Sequence, residues 1–240
     1  MAKVAIIIST YNRVKELEKT LMSLHQSLKG DKNDVHVIVY DDGSCDGTFE
    51  FLNERIEFFD GFYSPRFNLI RAGDVFNRGL RTALNESLRI AFTLKPKYIS
   101  YMQDDIDIEP GWLQKCIDVY NSSEKIGLVT GHDAPEHPVI KEENGIKYKK
   151  TCRATHLFAS TKRWKEFGEI PDLTPGIAAP KPGKGSLVDW WLVGHPERKY
   201  PESDNSIQNK KELIACIPKL ITHRGSKTST WGNILNPELE

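Results

Sequence analysis

The stretch that decides the fold is YISYMQDDIDIEPGWL, residues 98–113, where an apolar run leads into acidic residues and a Pro-Gly turn. A buried strand that ends in acids predicts a ligand site, because open parallel sheets bind ligands at the carboxyl ends of their strands. Asp104, Asp105 and Asp107 would repel one another unless a cation offset their charge, as a divalent ion bridging to phosphate oxygens would do. The alternative is a helix N-terminus, which also favours acidic residues and Pro110.

The composition is that of a soluble globular protein. With 240 residues, 39% hydrophobic and 28% charged, the chain is long enough to bury a core. Its 33 basic and 33 acidic residues balance, so no bulk charge recruits nucleic acid or an acidic membrane. The four cysteines show neither CxxC nor metal-ligand spacing, which predicts reduced thiols. No apolar run approaches the roughly 20 residues of a membrane helix and no cleavage signature follows Met1, so we predict a cytoplasmic protein without a membrane span.

Before residue 98, the sequence repeats a pattern of strand, loop and helix. Continuous β-branched runs such as VAIIIS predict strands that are covered on both faces, and leucines at helical spacing predict the intervening helices. Successive units of this kind predict an α/β fold with a mostly parallel, Rossmann-like central sheet flanked by helices. The predicted strands are residues 4–9, 35–40 and 67–71, and the predicted helices are residues 14–28, 47–56 and 77–94.

After residue 131 the pattern becomes irregular, which predicts a smaller second half. Residues 132–150 predict a hairpin around Asn144-Gly145, and residues 171–185, rich in proline and glycine, predict a lid. The apolar stretch LVDWWLV at 187–193 holds a single acid, Asp189. The other predicted elements are helices at 113–120 and 161–167 and strands at 126–131, 156–160 and 217–222.

Seven blocks of the sequence follow one another in the order of a known family pattern. They are IIISTYNR (6–13), VYDDGSCDGT (39–48), NRGLRTALN (77–85), YMQDDIDIEPGW (101–112), HLFASTKRWKEFG (156–168), VDWW (188–191) and HRGSKTS (223–229). Together they resemble the GT-A fold glycosyltransferases, in particular family 2. The resemblance implies a single catalytic domain over residues 1–240, in which residues 1–105 bind a nucleotide sugar and residues 106–240 hold the acceptor and the catalytic base.

In that family the first strand and its exit hold the nucleotide base, and an acid pair after the second strand contacts the base or ribose. The resemblance implies that Asp41 and Asp42 are this pair and that Tyr11 stacks on the base. The alternative for Tyr11 is that it only caps the sheet, and Asp46 fits a turn or a helix cap. The resemblance also implies that Asp104 faces the ribose or lies behind the metal ligand. The implied donor-binding residues are Thr10, Tyr11, Arg13, Asp41, Asp42, Arg78, Arg81 and Asp104.

The resemblance also implies a divalent metal, Mn²⁺ or Mg²⁺. Gln103, Asp104 and Asp105 stand where the family commonly has Asp-x-Asp, so Gln103 replaces the first acid. The family most often holds the metal through the last acid of that triplet, which makes Asp105 the implied ligand. His223 matches a histidine that often completes the metal site. Asp107 is the alternative ligand and is expected on the following turn.

VDWW resembles the family's Glu-Asp-x-Asp block, whose first Asp is the catalytic base, with Val188 and Trp191 in place of the other acids. The implied base is therefore Asp189. A carboxylate among apolar residues is costly to bury without a purpose, and burial raises the pKa of a carboxyl group toward the value that a base needs. Trp190 and Trp191 could stack on an acceptor sugar or could fill the core.

We therefore expect transfer of a sugar, with inversion, from a nucleotide-diphosphate donor to a hydroxyl of a glycan or another acceptor, with UDP favoured by the resemblance alone. One alternative is a nucleotidyltransferase of the same fold, although STYNR lacks the Gly-rich loop and lysine of that group. The other is a catalytically silent sugar- or protein-binding module. An anionic acceptor such as a nucleic acid is suggested only by a basic-rich region, which comprises Lys147, Lys149, Lys150, Arg153, Lys162, Arg163 and Lys165.

Overall fold

The computed structural model of the chain describes residues 2–61, 67–171, 187–194 and 202–225. Its strands are β1 (Lys3–Thr10), β2 (Asp34–Asp42), β3 (Phe67–Asp74), β4 (Tyr98–Met102), β5 (Ile106–Ile108), β6 (Ile126–Thr130), β7 (Val139–Glu143), β8 (Ile146–Lys149), β9 (His156–Ser160), β10 (Leu213–Cys216) and β11 (Ile221–His223). Its helices are α1 (Val14–Ser27), α2 (Thr48–Gly61), α3 (Leu80–Thr93), α4 (Trp112–Asn121), α5 (Thr161–Phe167) and α6 (Leu187–Val193).

The predicted strand and helix units form the first half of the main sheet. Strand β1 pairs in parallel with β2 and β4, and β2 pairs in parallel with β3. In this register Thr10 lies opposite Asp41 and Ile8 lies opposite Met102. The polar residues that follow β1, β2 and β4 therefore meet at one edge of the sheet, as the Rossmann-like prediction requires.

The later strands continue the same sheet. Within the described residues its order is β3-β2-β1-β4-β9-β6-β10-β8-β7. Strand β9 is antiparallel to β4 and β6, β10 is parallel to β6, and the β7–β8 hairpin extends the sheet from β10. All strands of this described sheet except β8 and β9 run in one direction, which confirms the predicted mostly parallel sheet. The hairpin turns at Asn144-Gly145 with φ angles of 51° and 75°, as a tight type I′ turn requires.

The core lies in two layers, one on each face of the sheet. Because successive side chains of a strand point to opposite faces, Val4, Ile6 and Ile8 of β1 pack toward α1 and α4. Ala5 and Ile7 pack toward α3, α5 and α6. All five of these side chains are 0% exposed, so the continuous apolar run in the sequence corresponds to a strand covered on both faces.

Three sequence predictions about local structure were incomplete or wrong. The strand predicted at 217–222 begins only at Ile221, because Pro218 and Lys219 form a turn in which Lys219 has a φ of 66°. Strand β10, just before that turn, was missed. Asp107 lies in β5, which pairs with β11 to form a separate two-stranded sheet, and not on a turn.

Some predictions fall outside the described residues. They concern the lid at 171–185, of which only Pro171 is described, and the part of the HRGSKTS block that follows Gly225. In the ranges that are described, no helix is long and apolar enough to cross a membrane.

Candidate active site

The site is organised around the short connection between β4 and β5, which carries Asp104 and Asp105. Both residues are 3% exposed. Thr20 of α1 holds this connection, because its hydroxyl oxygen lies 2.7 Å from the carbonyl oxygen of Asp104 and accepts the N–H of Ile106 at 3.2 Å. The main chain on both sides of Asp105 is thereby fixed against α1.

Arg13, at the start of α1, bridges the two carboxylates. Its Nη1 lies 2.8 Å from Oδ1 of Asp104, and its Nη2 lies 2.7 Å from Oδ2 of Asp105. The hydroxyl of Thr10 donates to Oδ2 of Asp104 at 2.8 Å. The planar guanidinium suits this arrangement because it presents parallel donors to carboxylate oxygens. Two of the predicted donor-binding residues, Thr10 and Arg13, thus contact a third, Asp104.

His223, from the other end of the chain, reaches one of these two acids, Asp105. Its Nε2 lies 3.1 Å from Oδ2 of Asp105. The position of the ring follows from the β5–β11 pairing, in which His223 lies opposite Ile106, and from the N–H of Arg224, which donates to the carbonyl oxygen of Asp105 at 2.9 Å. The structure therefore brings the two predicted metal-binding residues, Asp105 and His223, into contact.

The two acids differ in their electrostatic state. Burial raises the pKa of Asp104 to about 6, although Arg13 and the Thr10 hydroxyl act in the opposite direction. Burial would also raise the pKa of Asp105, but its hydrogen bonds to His223 and Arg13 and their charges prevail and lower that pKa to about 2. Asp105 is consequently ionised at every pH at which a cell would use it.

One oxygen of Asp105 is left without a hydrogen bond. Its Oδ1 is buried and has no hydrogen-bond partner within the described part of the chain. Such an oxygen is rare and costly in a folded protein, and a coordinated cation would satisfy it. A carboxylate beside an imidazole is also a donor set that divalent metals accept. Among the described residues, however, no three acidic, histidine or cysteine side chains are placed to hold one ion by themselves.

The acid pair at the end of β2, Asp41 and Asp42, binds the main chain of the neighbouring loops. Oδ1 of Asp42 accepts the N–H of Arg78 at 2.8 Å, and its Oδ2 accepts the N–H of Gly79 at 2.7 Å. Oδ1 of Asp41 accepts the N–H of Ser44 at 3.0 Å. Both acids therefore have a structural role, because they hold the main chain of the loops that follow β2 and β3. The predicted contacts of Asp41, Asp42, Arg78 and Arg81 with a donor remain predictions.

The loops after β1 and β2 are joined next to this pair. Asn12 accepts the N–H of Cys45 through Oδ1 at 2.8 Å, and its own N–H donates to the hydroxyl oxygen of Ser44 at 2.8 Å. Asp46 accepts the N–H of Thr48 at 3.2 Å and so forms a turn at the start of α2, which is one of the roles that the sequence allowed. Tyr11, the predicted base-stacking residue, is half-buried in this joined loop pair.

The LVDWWLV stretch forms a helix, α6. Val188, Leu192 and Val193 are each at most 2% exposed and pack against the core. Asp189 in the first turn is half-buried. Its Oδ1 accepts the N–H of Ala154 at 2.6 Å.

This contact places Asp189 close to the end of β4. Ala154 precedes Thr155, whose carbonyl oxygen accepts the N–H of Gln103 at 3.0 Å. The charges of the acids on both sides of β4 act on the buried hydroxyl of Tyr101. Burial and then the charges of Asp104, Asp189 and Asp105 raise the pKa of this hydroxyl above its usual value. The predicted base, Asp189, and the predicted metal ligand, Asp105, therefore both lie near the end of β4.

The structure gives less support to two acceptor predictions. Trp191 packs against the core and its Nε1 donates to the carbonyl oxygen of Phe167 at 3.1 Å, which favours the core-packing alternative. The side chain of Trp190 lies outside the described part of the structure.

In the basic-rich region, every side chain already has a partner, so this region gives little support to an anionic acceptor. The contacts are Lys147 and Lys149 with Asp133, Lys150 with the carbonyl oxygen of Glu212, Arg153 with Glu136, Lys162 with Glu166, Arg163 with Glu212, and Lys165 with the ring of Phe92.

Two positioning residues were not predicted. Thr20 had a signal in the sequence, since it is a polar residue on the apolar face that α1 buries. Arg224 had none, because its partner Glu16, at 2.9 Å, lies far away in the sequence. Arg224 also contacts Thr20 at 2.7 Å and Asp107 at 2.6 Å, so it ties β11 to α1 and pairs with the acid that was the alternative metal ligand.

With this geometry established, comparison with known proteins identifies the family. The family described as glycosyl transferase family 2 matches residues 5–179. The chain resembles the mannosyltransferase PcManGT from Pyrobaculum calidifontis, solved in complex with GDP-Man and Mn²⁺, with 18% identity, a TM-score of 0.55 and coverage of 71% of this chain and 48% of that one. It also resembles the S. aureus TarS 1-349 structure, with 17% identity, a TM-score of 0.54 and coverage of 89% and 57%. A third structure, GalNAc-T7 with UDP, GalNAc and Mn²⁺, gives 12% identity, a TM-score of 0.60 and coverage of 93% and 44%.

The two kinds of comparison carry different weight. No curated protein sequence matches the chain. The chain spans about half the length of the structures that it resembles, and at these identities the likeness shows the fold alone. The family match, in contrast, covers most of the sequence. On that match, and with the GT-A fold that these structures share with it, the chain belongs to glycosyl transferase family 2.

Proposed function

We propose that this protein is a metal-dependent, inverting glycosyltransferase, in which Asp105 and His223 hold a divalent ion and Asp189 is the general base. The observation that carries the proposal is the contact between Asp105 and His223, at 3.1 Å, beside a buried carboxylate oxygen that has no hydrogen-bond partner among the described residues. Asp189 lies near the same strand end, where its carboxylate accepts a hydrogen bond from the N–H of Ala154. A donor diphosphate bound between these groups would meet the ion on one side, which would offset its charge. Asp189 would lie on the other side as the base.

The ligand set fits Mn²⁺ better than Mg²⁺. Mg²⁺ prefers an all-oxygen shell, whereas Mn²⁺ lies closer to the metals that imidazole suits. The other ligands would be diphosphate oxygens and water, since no further acid or histidine in the described residues is placed to share the ion. When bound, such an ion offsets the negative charge that develops on the leaving diphosphate.

The donor would lie across the ends of β1, β2 and β4, with the predicted base-binding residues Thr10 and Tyr11 on one side. The structures that share the fold hold GDP-Man in one case and UDP in another. UDP is favoured here on the sequence resemblance. Tests therefore need both nucleotides.

In the proposed reaction, the carboxylate of Asp189 removes the proton from an acceptor hydroxyl. The acceptor oxygen forms a bond to the anomeric carbon from the face opposite the diphosphate, and the bond from that carbon to the diphosphate oxygen breaks. The configuration at the carbon is thereby inverted. The hydrogen bond from the Ala154 N–H to Oδ1 orients the carboxylate, so little reorganisation is needed at the moment of proton transfer.

We propose an uncharged hydroxyl acceptor such as a glycan, because the side chains of the basic-rich region already have partners within the protein.

Neither alternative function gains support from the structure. For a nucleotidyltransferase, the exit of β1 would have to cradle phosphates in a Gly-rich loop, whereas Thr10 and Arg13 there are bonded to the acids of the site. A silent binding module was suggested by the departures at Gln103, Val188 and Trp191. The side chains of Val188 and Trp191 pack against the core, which explains their apolar character without removing Asp189 from the site.

A panel of nucleotide sugars tests the proposed function. We expect one UDP- or GDP-sugar to be converted to free nucleotide in the presence of Mn²⁺, with loss of this activity on addition of EDTA and recovery on return of Mn²⁺. The measurement is nucleotide release followed by chromatography, with the sugar product analysed in parallel. Failure to release nucleotide from any donor would favour the binding module, and release of pyrophosphate from a nucleoside triphosphate would favour nucleotidyl transfer.

A further inference from the structure

The guanidinium of Arg13 lies against the same Asp105 carboxylate that an incoming ion would use, on Oδ2, beside the buried Oδ1 that has no hydrogen-bond partner among the described residues. Its two terminal nitrogens lie 2.8 Å from Asp104 and 2.7 Å from Asp105, and its side chain is 11% exposed. Oδ2 of Asp105 is shared between Arg13 and His223. When a metal ion approaches Asp105, the ion and the guanidinium of Arg13 therefore compete for the same carboxylate group.

Arg13 can leave the acids without disturbing the helix that it begins. Its backbone carbonyl accepts the N–H groups of Glu16 and Leu17 at 3.0 and 2.9 Å, which fixes the main chain. Its side chain makes no capping hydrogen bond to α1. The long side chain can therefore move while the backbone stays in place. A guanidinium that gives up two carboxylates can form an equivalent two-pronged contact with a diphosphate, since it binds both carboxylate and phosphate oxygens in this way.

We propose that Arg13 exchanges partners during donor binding: it pairs with Asp104 and Asp105 first and transfers to the donor diphosphate when a divalent ion takes Asp105. This inference rests on the proposed function and adds a property to it. The ion and the nucleotide would bind with positive coupling, because each one relieves the competition that the other meets. By linkage, the factor by which the nucleotide strengthens ion binding equals the factor by which the ion strengthens nucleotide binding.

The test measures Mn²⁺ binding by the protein alone, and then in the presence of UDP and, in parallel, of GDP. Binding is followed by calorimetry and by the electron paramagnetic resonance signal of free Mn²⁺. In Arg13→Ala, we expect Mn²⁺ alone to bind roughly tenfold more tightly than in the unchanged protein, and the strengthening by nucleotide to shrink by a similar factor, within the usual range of coupling between sites. Arg13→Lys should lie between the two, since lysine keeps the charge but cannot bridge both acids.

Lys15→Ala is the matched control, because it removes the same charge from an exposed position of α1 and should leave Mn²⁺ binding unchanged. Arg13→Ala leaves two buried acids without their cation and can lower the melting temperature. The ion should then raise the melting temperature of this variant more than that of the unchanged protein. If Arg13→Ala does not fold, Arg13→Lys decides the question through its tighter binding of Mn²⁺ alone.

Equal or weaker binding of Mn²⁺ alone by the folded Arg13 variants would overturn the exchange. Asp105→Ala separates this failure from a failure of the proposed function. If nucleotide binding remains metal-dependent in Asp105→Ala, the metal assignment itself is wrong. If that dependence is lost in Asp105→Ala while the Arg13 variants bind Mn²⁺ like the unchanged protein, only the partner exchange is wrong.

Discussion

Asp189→Asn is expected to lower turnover of the donor by roughly 10²- to 10⁴-fold, the usual contribution of a positioned general base, and to leave the fold and the nucleotide affinity unchanged. The asparagine amide keeps the shape of the carboxylate, and its oxygen can still accept the N–H of Ala154, which lies 2.6 Å from Oδ1. The amide cannot take up the proton of the attacking hydroxyl. Turnover, nucleotide affinity and thermal melting are measured on one preparation.

Asp118→Asn is the matched control for this loss, because it makes the same change at an exposed position of α4, away from the site. It should have no effect on turnover. If Asp189 were only structural, Asp189→Asn would lower the melting temperature, and the protein that remains folded would be active. Near-normal turnover by folded Asp189→Asn would remove Asp189 from the role of base.

Asp105→Ala is expected to weaken metal-dependent nucleotide binding by at least roughly 100-fold, since even groups that only support a metal ligand are worth 10- to 100-fold in metal affinity. The change removes the carboxylate that holds both His223 and Arg13, at 3.1 and 2.7 Å. Calorimetry with UDP or GDP, with and without Mn²⁺, measures the effect. Binding in the absence of metal should change much less.

Asp107→Ala provides the control, because Asp107 is the neighbouring acid and pairs with Arg224 at 2.6 Å. We expect it to change metal-dependent binding only a few-fold. Undiminished binding in Asp105→Ala would contradict the metal assignment. A collapse in Asp107→Ala alone would move the ion to the acid on β5.

The regular part of the fold could be predicted because its elements are long and covered on both faces. Buried parallel strands give continuous apolar runs, as in Val4 to Ile8, and α1 shows its buried face through Leu17, Leu21 and Leu24. Both signals are local in the sequence. Because the carboxyl ends of parallel strands meet at one edge of a sheet, the edge at which the polar residues gather could also be predicted.

The short elements could not be predicted in the same way. Strands β5 and β11 have three residues each and become stable only through their pairing, which joins Ile106 to His223 across more than a hundred residues. Strand β10 has four residues and is separated from β11 only by a turn. Helix α6 has seven residues, too few for apolar periodicity to distinguish a helix from a buried strand.

The candidate site divides along the same line. Residues at strand ends, such as Asp41 and Asp105, could be placed from the sequence because the ends of parallel strands share one edge. The partners of these residues could not. Nothing local in the sequence indicates that Arg13 bridges Asp104 and Asp105, or that Arg224 ties β11 to α1, because such contacts depend on which helix packs under which strand.

The most direct measurement of the central claim is the configuration of the sugar that the protein releases when water replaces the acceptor. With an α-linked nucleotide sugar taken from the donor panel, proton magnetic resonance recorded before mutarotation follows the first product. Metal-dependent attack from the face opposite the diphosphate, with Asp189 as base, predicts that the β-sugar forms first and only with Mn²⁺ present. Release of the α-sugar first, or an equal rate in EDTA, would contradict the account.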